Sequence, residues 1–301
     1  MSAFAYAPRE QCVCGLSLDH AQQTEVRAYA WGEVRFRRCP ACLSWCQSPQ
    51  ITPSSIAAWY DSDLYQGSAQ HVGEFYSNYL ADEANRLSES RGRVKRDLAP
   101  LLPPSGAEVI EIGCASGSLL VVLREAGHNV RGIDLSERFV TAARTIHGLD
   151  VQQGDVASAT FPAASFDLVL LLGTISNLPE LPTQLQHIHG WLKPGGYLVA
   201  NFPAANSLTA KLYRRRYWMF APTANTFYSA AGCRRAMENA GFAVTQLRRD
   251  VQQPSWQKLV THSRLPGAAR LLRSLRLEKA ILPWPLPVPG IRIVTAKKPV
   301  K

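Results

Sequence analysis

Two sets of residues in this 301-residue chain have the types and spacing that binding chemistry needs. The first is Glu111-Ile112-Gly113-Cys114-Ala115-Ser116-Gly117, an acid running into a turn of small residues; a second acid, Asp134, closes Val130-Arg131-Gly132-Ile133-Asp134. Small residues let the backbone approach a ligand closely, and a helix that opens there offers unpaired N–H groups. Asp134 is then placed to accept hydrogen bonds from a ribose diol, which makes the chemistry that of a nucleotide site. The second set is Cys12 and Cys14 with Cys39 and Cys42, two close pairs on either side of strand-like sequence such as Glu33-Val34-Arg35-Phe36. Four thiolates around a hairpin suit a tetrahedral Zn²⁺.

The elements that must position the first set can be read from the apolar runs. Val109–Ile112 is a strand, Gly117–Ala126 a helix stopped at Gly127, and Val130–Asp134 the next strand. Both acids therefore stand at the carboxyl ends of neighbouring parallel strands, where open α/β sheets bind ligands. A dinucleotide fingerprint would put glycine at 113, 115 and 118, but Ala115 and Ser118 fill the last two places.

The run instead resembles motif I of class I S-adenosylmethionine (SAM)-dependent methyltransferases, E/D-x-G-x-G-x-G, with Ala115 for the middle glycine. Further matches follow in the family's order: Gly154-Asp155-Val156, the buried strand Phe166–Leu172, Leu192-Lys193-Pro194-Gly195-Gly196 before a fifth strand, and Ala240-Gly241-Phe242 before a sixth. The resemblance implies an α/β fold with a Rossmann-like seven-stranded methyltransferase sheet. It implies cofactor contacts from Glu111, Gly113, Ala115, Gly117, Asp134, Leu135, Asp155 and Val156. Glu111 would hold the cofactor's positive end and Asp155 would accept from the adenine amine. Relatives commonly carry Glu-His after strand four and again before the last large helix. Here Ser176-Asn177 and Thr223-Ala224-Asn225 stand there, so Asn177, Asn225 and Tyr228 become the candidate catalytic residues, orienting an acceptor. His187 and His189 lie opposite the apolar face Leu181, Leu185, Ile188 and Leu192, toward solvent.

The cysteines resemble the N-terminal zinc-ribbon-like module of a set of methyltransferases, in which C-x-x-C-G occurs twice. The first knuckle here is C-x-C, and Leu43 replaces the second glycine; Cys46 is a spare ligand, and a metal-free ribbon of buried thiols is the alternative. The expected organisation is a zinc-ribbon-like module at 1–48, a linker and helical cap at 49–104, and a SAM-dependent methyltransferase domain at 105–301. Insertions are expected at about 207–228, rich in arginine and aromatics, and 251–289, with a leucine–arginine helix around 270–277.

Seven cysteines, four of them in two knuckles, argue for metal over disulfides, and the N-terminus lacks a signal-peptide pattern, so a cytoplasmic protein is expected. The net charge of +10 and the leucine–arginine helix suit contact with the anionic inner membrane face. The activity expected from the resemblance is SAM-dependent methyl transfer to a small molecule: a glycan, lipid or secondary-metabolite intermediate. The rivals are an RNA methyltransferase, against which the basic residues are scattered over several segments, and a non-catalytic SAM-binding scaffold. Oligomeric state is left open.

Overall fold

The computed structural model describes residues 4–21, 23–29, 32–62, 83–208, 210, 223–252, 274–275 and 286–300. Strand β1 (Tyr6–Ala7) precedes the first cysteine pair, and the hairpin β2 (Gln23–Tyr29) and β3 (Gly32–Arg38) joins the two pairs. Alternation in β3 works as period-two patterning dictates: Val34 and Phe36 are buried while Glu33 and Arg35 are exposed. β4 (Trp45–Gln47) pairs antiparallel with β3, and β5 (Gln50–Ile51) returns to β1. Helix α1 (Pro53–Asp61) then opens at Thr52, whose hydroxyl accepts from the Ser55 amide, with proline in the first turn where its missing N–H costs nothing.

After α2 (Glu83–Arg93) and a π turn over Val94–Leu98, the chain alternates strand and helix: β6 (Glu108–Ile112), α3 (Ser118–Glu125), β7 (Asn129–Asp134), α4 (Glu137–His147), β8 (Val151–Gln153), β9 (Phe166–Leu172), α5 (Leu181–Trp191) and β10 (Leu192–Pro203). β11 (Thr226–Phe227), α6 (Ala230–Asn239), β12 (Ala243–Gln252) and β13 (Leu286–Lys297) complete it. Seven strands form the main sheet in the order β12-β13-β10-β9-β6-β7-β8, with β13 antiparallel to both neighbours and the other pairings parallel. β10 begins at Leu192, with a register shift across the Lys193–Gly196 turn, and β13 runs through Leu286–Lys297.

Strand order reverses at β6, with β7 and β8 on one side and β9 and β10 on the other. That switch point opens a crevice above the carboxyl ends of the strands. The cysteine module is fused to this body. β11 pairs with β4 and so becomes the edge of the ribbon's own sheet, β11-β4-β3-β2. Cys12, Cys39, Cys42 and Cys46 share one apolar core with Phe202, Tyr228, Cys233 and Met237.

Of the segments named from sequence, residues 63–82 of the helical cap, 209 and 211–222 of the first insertion, and 253–285 of the second apart from Ser274 and Leu275 lie outside the described residues. No helix among the described residues is long and apolar enough to cross a membrane.

Candidate active site and metal centre

The crevice is built on the loop after β6. Gly113 adopts φ +73°, and a Cβ there would fall 2.2 Å from Thr174 Oγ1, so glycine is required where the loops after β6 and β9 meet. Gly117 (φ +81°) is equally confined: a Cβ would sit 2.3 Å from Leu149 Cδ1. Ala115 takes φ +49°, the left-handed conformation the family's glycine would adopt freely. Its amide donates to Asp134 Oδ2 at 2.8 Å, and the Ser136 amide donates to Oδ1 at 2.9 Å. Two backbone donors therefore orient Asp134 at the end of β7. Burial pushes its carboxyl up to about 6, against those donors, and Asp61 adds repulsion. Leu135 is half-buried beside it.

Glu111 is the other acid. It is 6% exposed, and its Oε2 has no hydrogen-bond partner among the described residues. Burial and the neighbouring Asp134 push its carboxyl up to about 8, with Arg93 acting in the opposite direction. Asp155 serves its own turn, Oδ1 accepting from the Ser158 amide and hydroxyl, both at 2.8 Å; Val156 is fully buried next to it.

Asp61 and Glu83, which the sequence did not single out, close over these loops together with Tyr60. Asp61, at the end of α1, accepts from Ser136 Oγ at 2.5 Å and from the Glu137 and Arg138 amides at 3.4 Å, across the N-terminus of α4. Tyr60 beside it accepts from Asn177 Nδ2 at 2.7 Å, so α1 spans the crevice from the β7 side to the β9 side. Glu83, at the start of α2, accepts from Ser116 Oγ at 3.0 Å and Ser118 Oγ at 2.9 Å and meets His147 Nε2 at 3.1 Å. The legible signal was local: an acid closing a helix that Thr52 and Pro53 open, and hydroxyls inside the glycine turn. The pairing itself spans 75 residues for Asp61 and Ser136, which no short-range pattern encodes.

The three candidate acceptor-orienting residues separate. Asn177 stays part-buried at the carboxyl end of β9 and faces Tyr60. Asn225 is fully buried with its side chain engaged: Oδ1 accepts from the Ile51 amide at 3.0 Å and Nδ2 donates to the Asn177 carbonyl at 2.9 Å. Tyr228 is fully buried too, and its hydroxyl donates to the Ile175 carbonyl at 3.1 Å. Burial and backbone partners make Asn225 and Tyr228 anchors in this structure. His187 is exposed, whereas His189 is half-buried edge-on against Phe242 at 5.0 Å between centroids.

The sulfurs of Cys12, Cys14, Cys39 and Cys42 all lie within 4.8 Å of one another. Cys12 Sγ is 3.5 Å from Cys42 Sγ, and Cys14 Sγ is 3.6 Å from Cys39 Sγ. Zn–S bonds of about 2.3 Å in a tetrahedron require sulfur–sulfur edges of about 3.8 Å, so this donor set fits the ion. The C-x-C knuckle therefore closes a four-thiolate site as well as a C-x-x-C knuckle does. Cys46 Sγ stands 3.7 Å from Cys12 Sγ as a fifth sulfur.

A family model described as a methyltransferase domain matches residues 74–247, more than half of the chain. The chain belongs to this methyltransferase family. It is similar to 27-O-demethylrifamycin SV methyltransferase of Amycolatopsis mediterranei, 30% identical over 161 residues, 49% of this chain and 57% of that protein. It is also 28% identical over 192 residues to the malonyl-[acyl-carrier protein] O-methyltransferase of Enterobacter lignolyticus, covering 60% of this chain and 75% of that one. Of the first of these relatives it thus spans little more than half the length. Among solved structures, magnesium protoporphyrin IX methyltransferase from Synechocystis, with bound S-adenosylhomocysteine (SAH), matches 82% of this chain and 99% of its own with a TM-score of 0.51 at 17% identity. That likeness is one of fold: the class I SAM-dependent methyltransferase sheet.

Proposed function

We propose that this methyltransferase binds SAM between Glu111 and Asp134 and methylates an oxygen of a small-molecule acceptor. Glu111 carries the reading. A buried acid with an unpaired oxygen is costly unless a cation meets it, and this one lies beneath the loop that the family uses for its cofactor. SAM supplies an electrophilic methyl group on its sulfonium and carries a cationic ammonium at its amino-acid end, which SAH shares. Glu111 would face the cationic end, Asp134, already oriented by two amides, would accept from the ribose, and the turn Gly113–Gly117 would admit the backbone to close contact. Leu135, Val156 and Asp155 would border the adenine.

Methyl displacement needs no protein nucleophile, so the work of the chain is to hold two reactants in line and keep water out. Helix α1 suits that role, since Tyr60 and Asp61 close the crevice from both sides. Asn177 remains the acceptor-orienting candidate, with Tyr60 as its partner. Oxygen as the acceptor atom is supported by the printed names of relatives, several of which are O-methyltransferases. The four cysteines would hold a structural Zn²⁺ that fastens the ribbon.

Calorimetric titration with SAM and SAH, beside Asp134→Ala, tests the reading. Micromolar binding lost in the variant supports a cofactor site and justifies an acceptor screen. A folded wild type that binds neither nucleotide would overturn it and favour a scaffold.

A further inference from the structure

Behind the crevice runs a line of polar groups, buried from Asn201 inward, that the proposed chemistry does not use. The Gly173 amide, just past β9, donates to Asn201 Oδ1 at 2.6 Å. Asn201 Nδ2 in turn donates to Asp250 Oδ2 at 2.9 Å. Asp250 is fully buried and receives both arms of Arg93, Nη1 to Oδ1 at 3.1 Å and Nη2 to Oδ2 at 3.0 Å. Such fork-to-fork pairing fixes orientation as well as charge. Four elements are tied by it: β9, β10, β12 and the end of α2, where the helix widens into its π turn, a distortion that recurs at functional sites.

Both ends of this line reach the crevice. Gly173 has φ +76° and precedes Thr174, the residue packed on Gly113. At the other end, Arg93 is the positive charge that acts on Glu111. A buried ionic network contributes little net stability over apolar packing but specifies one geometry, and the place where this one ends is informative.

We propose, on the reading that the crevice holds SAM, that Arg93 is a positioning residue for the cofactor loop: through Asp250 and Asn201 it fixes the Gly173 peptide, next to Thr174, which packs on Gly113. The groups acting on Glu111 are Asp134 from β7 and Arg93 from α2, and Glu111 in turn acts on the Cys114 thiol in its own loop. Arg93 is shared with Asp97 at 3.5 Å, which Arg96 and Arg248 also pair. Asp97 therefore belongs to the same network without touching the Gly173 branch, and it provides the internal control.

The test uses Asn201→Ala, Asp250→Asn, Arg93→Lys and Asp97→Asn in the full chain. Amide exchange at Gly173 is read without nucleotide, and SAH affinity is titrated from pH 6 to 9. The expected result is faster Gly173 exchange in Asn201→Ala and Asp250→Asn, with SAH binding weakened about tenfold, the loss of about one charge-assisted hydrogen bond. Arg93→Lys should restore most of the pH profile but not the Gly173 protection, because lysine keeps the charge and loses the fork. Asp97→Asn should lower the melting temperature and leave SAH affinity within twofold. Equal loss of affinity in Asp97→Asn, or unchanged affinity and exchange in Asn201→Ala, would reduce the line to structural support and overturn the proposal. Absence of SAH binding in the wild type would instead overturn the methyltransferase reading on which the proposal rests.

Discussion

The crevice and the seam between ribbon and sheet both bury polar side chains, and they treat them in opposite ways. Across the seam Asn225 is engaged at both ends of its amide, Arg9 donates to the Asn225 carbonyl at 2.6 Å and the Thr226 hydroxyl at 3.0 Å, and Ser229 bonds the Cys42 carbonyl. The unpaired atoms near that seam belong to the neutral amides of Gln47 and Gln50 and the hydroxyl of Ser176. In the crevice the unpaired atom belongs to an acid, Glu111, with a second acid beside it. Neutral unpaired groups cost one to a few kcal/mol and await nothing in particular. An acid with an unpaired oxygen beside a second acid disfavours its own charged form and is relieved by a cation. The seam is therefore built to hold, and the crevice to receive.

The largest effect should come from breaking the seam at its cysteine cluster. Cys39→Ser with Cys42→Ser removes two thiolates from the four-sulfur cluster, and small metal modules take most of their folding energy from the ion. Cys42 is also packed on α6, where a Cβ on Gly232 would lie 3.1 Å from its sulfur, so the damage should spread into the main core. Elemental analysis is expected to give about one zinc per wild-type chain, the stoichiometry of one four-thiolate site, and none in the variant. Melting followed by near-UV circular dichroism should show one shared transition in the wild type. Two separate transitions would show that ribbon and sheet fold independently and would collapse the contrast drawn above.

Asn225→Ala probes the same seam with the cysteine cluster intact. It orphans the Ile51 amide and the Asn177 carbonyl, and a loss of about 2–4 kcal/mol is expected in denaturant unfolding. SAH affinity in the fraction that remains folded should change less than threefold. A selective loss of turnover without loss of stability would return Asn225 to the acceptor site.

Glu111→Gln tests the crevice from the other side. A carboxyl at about 8 in the folded state, against 4.5 in the unfolded one, is protonated in the native protein where the unfolded chain has already lost its proton. The stability it contributes is therefore complete below about pH 4.5 and is lost as pH rises toward 8 and beyond. The variant should flatten that decline and be the more stable protein above pH 8. Cofactor binding has the opposite sign, since a cation selects the carboxylate and releases the proton. SAM affinity should rise with pH between about 6 and 8, approaching tenfold per unit, and the variant should bind weakly with no such slope. A pH-independent wild type in calorimetry would remove Glu111 from the cationic end.

The main strands, both acids and the four cysteines were legible because each sits in a short run: an apolar strand, a glycine turn, a knuckle. What stayed hidden was contact between distant segments. Nothing local marks Asp61 as the partner of Ser136, or Asn201 and Asp250 as links to Gly173, since each looks like an ordinary polar residue at a helix or strand end. The burial of Asn225 and Tyr228 stayed hidden for the same reason. Their place in the chain agrees with the family's acceptor loop, but the ribbon, by adding β4 beside β11, buries that stretch.

Ala115 shows how finely the crevice is tuned within that legible run. The family pattern has glycine here, and the structure keeps glycine's backbone, φ +49°, with an alanine side chain that is 9% exposed. A left-handed alanine is strained by roughly 1–2 kcal/mol, while glycine would loosen the unfolded chain by somewhat less than that. Ala115→Gly should therefore stabilise the protein slightly, by at most about 1 kcal/mol. The Ala115 amide already holds Asp134 Oδ2 at 2.8 Å, so SAH affinity should move by less than twofold. If the variant instead binds SAH much more tightly, the methyl group of Ala115 is intruding on the ligand, and the crevice as built would be a restricted version of the family site. If it is destabilised, the left-handed turn is held by contacts around the methyl group, and the loop is then as firmly packed as the seam.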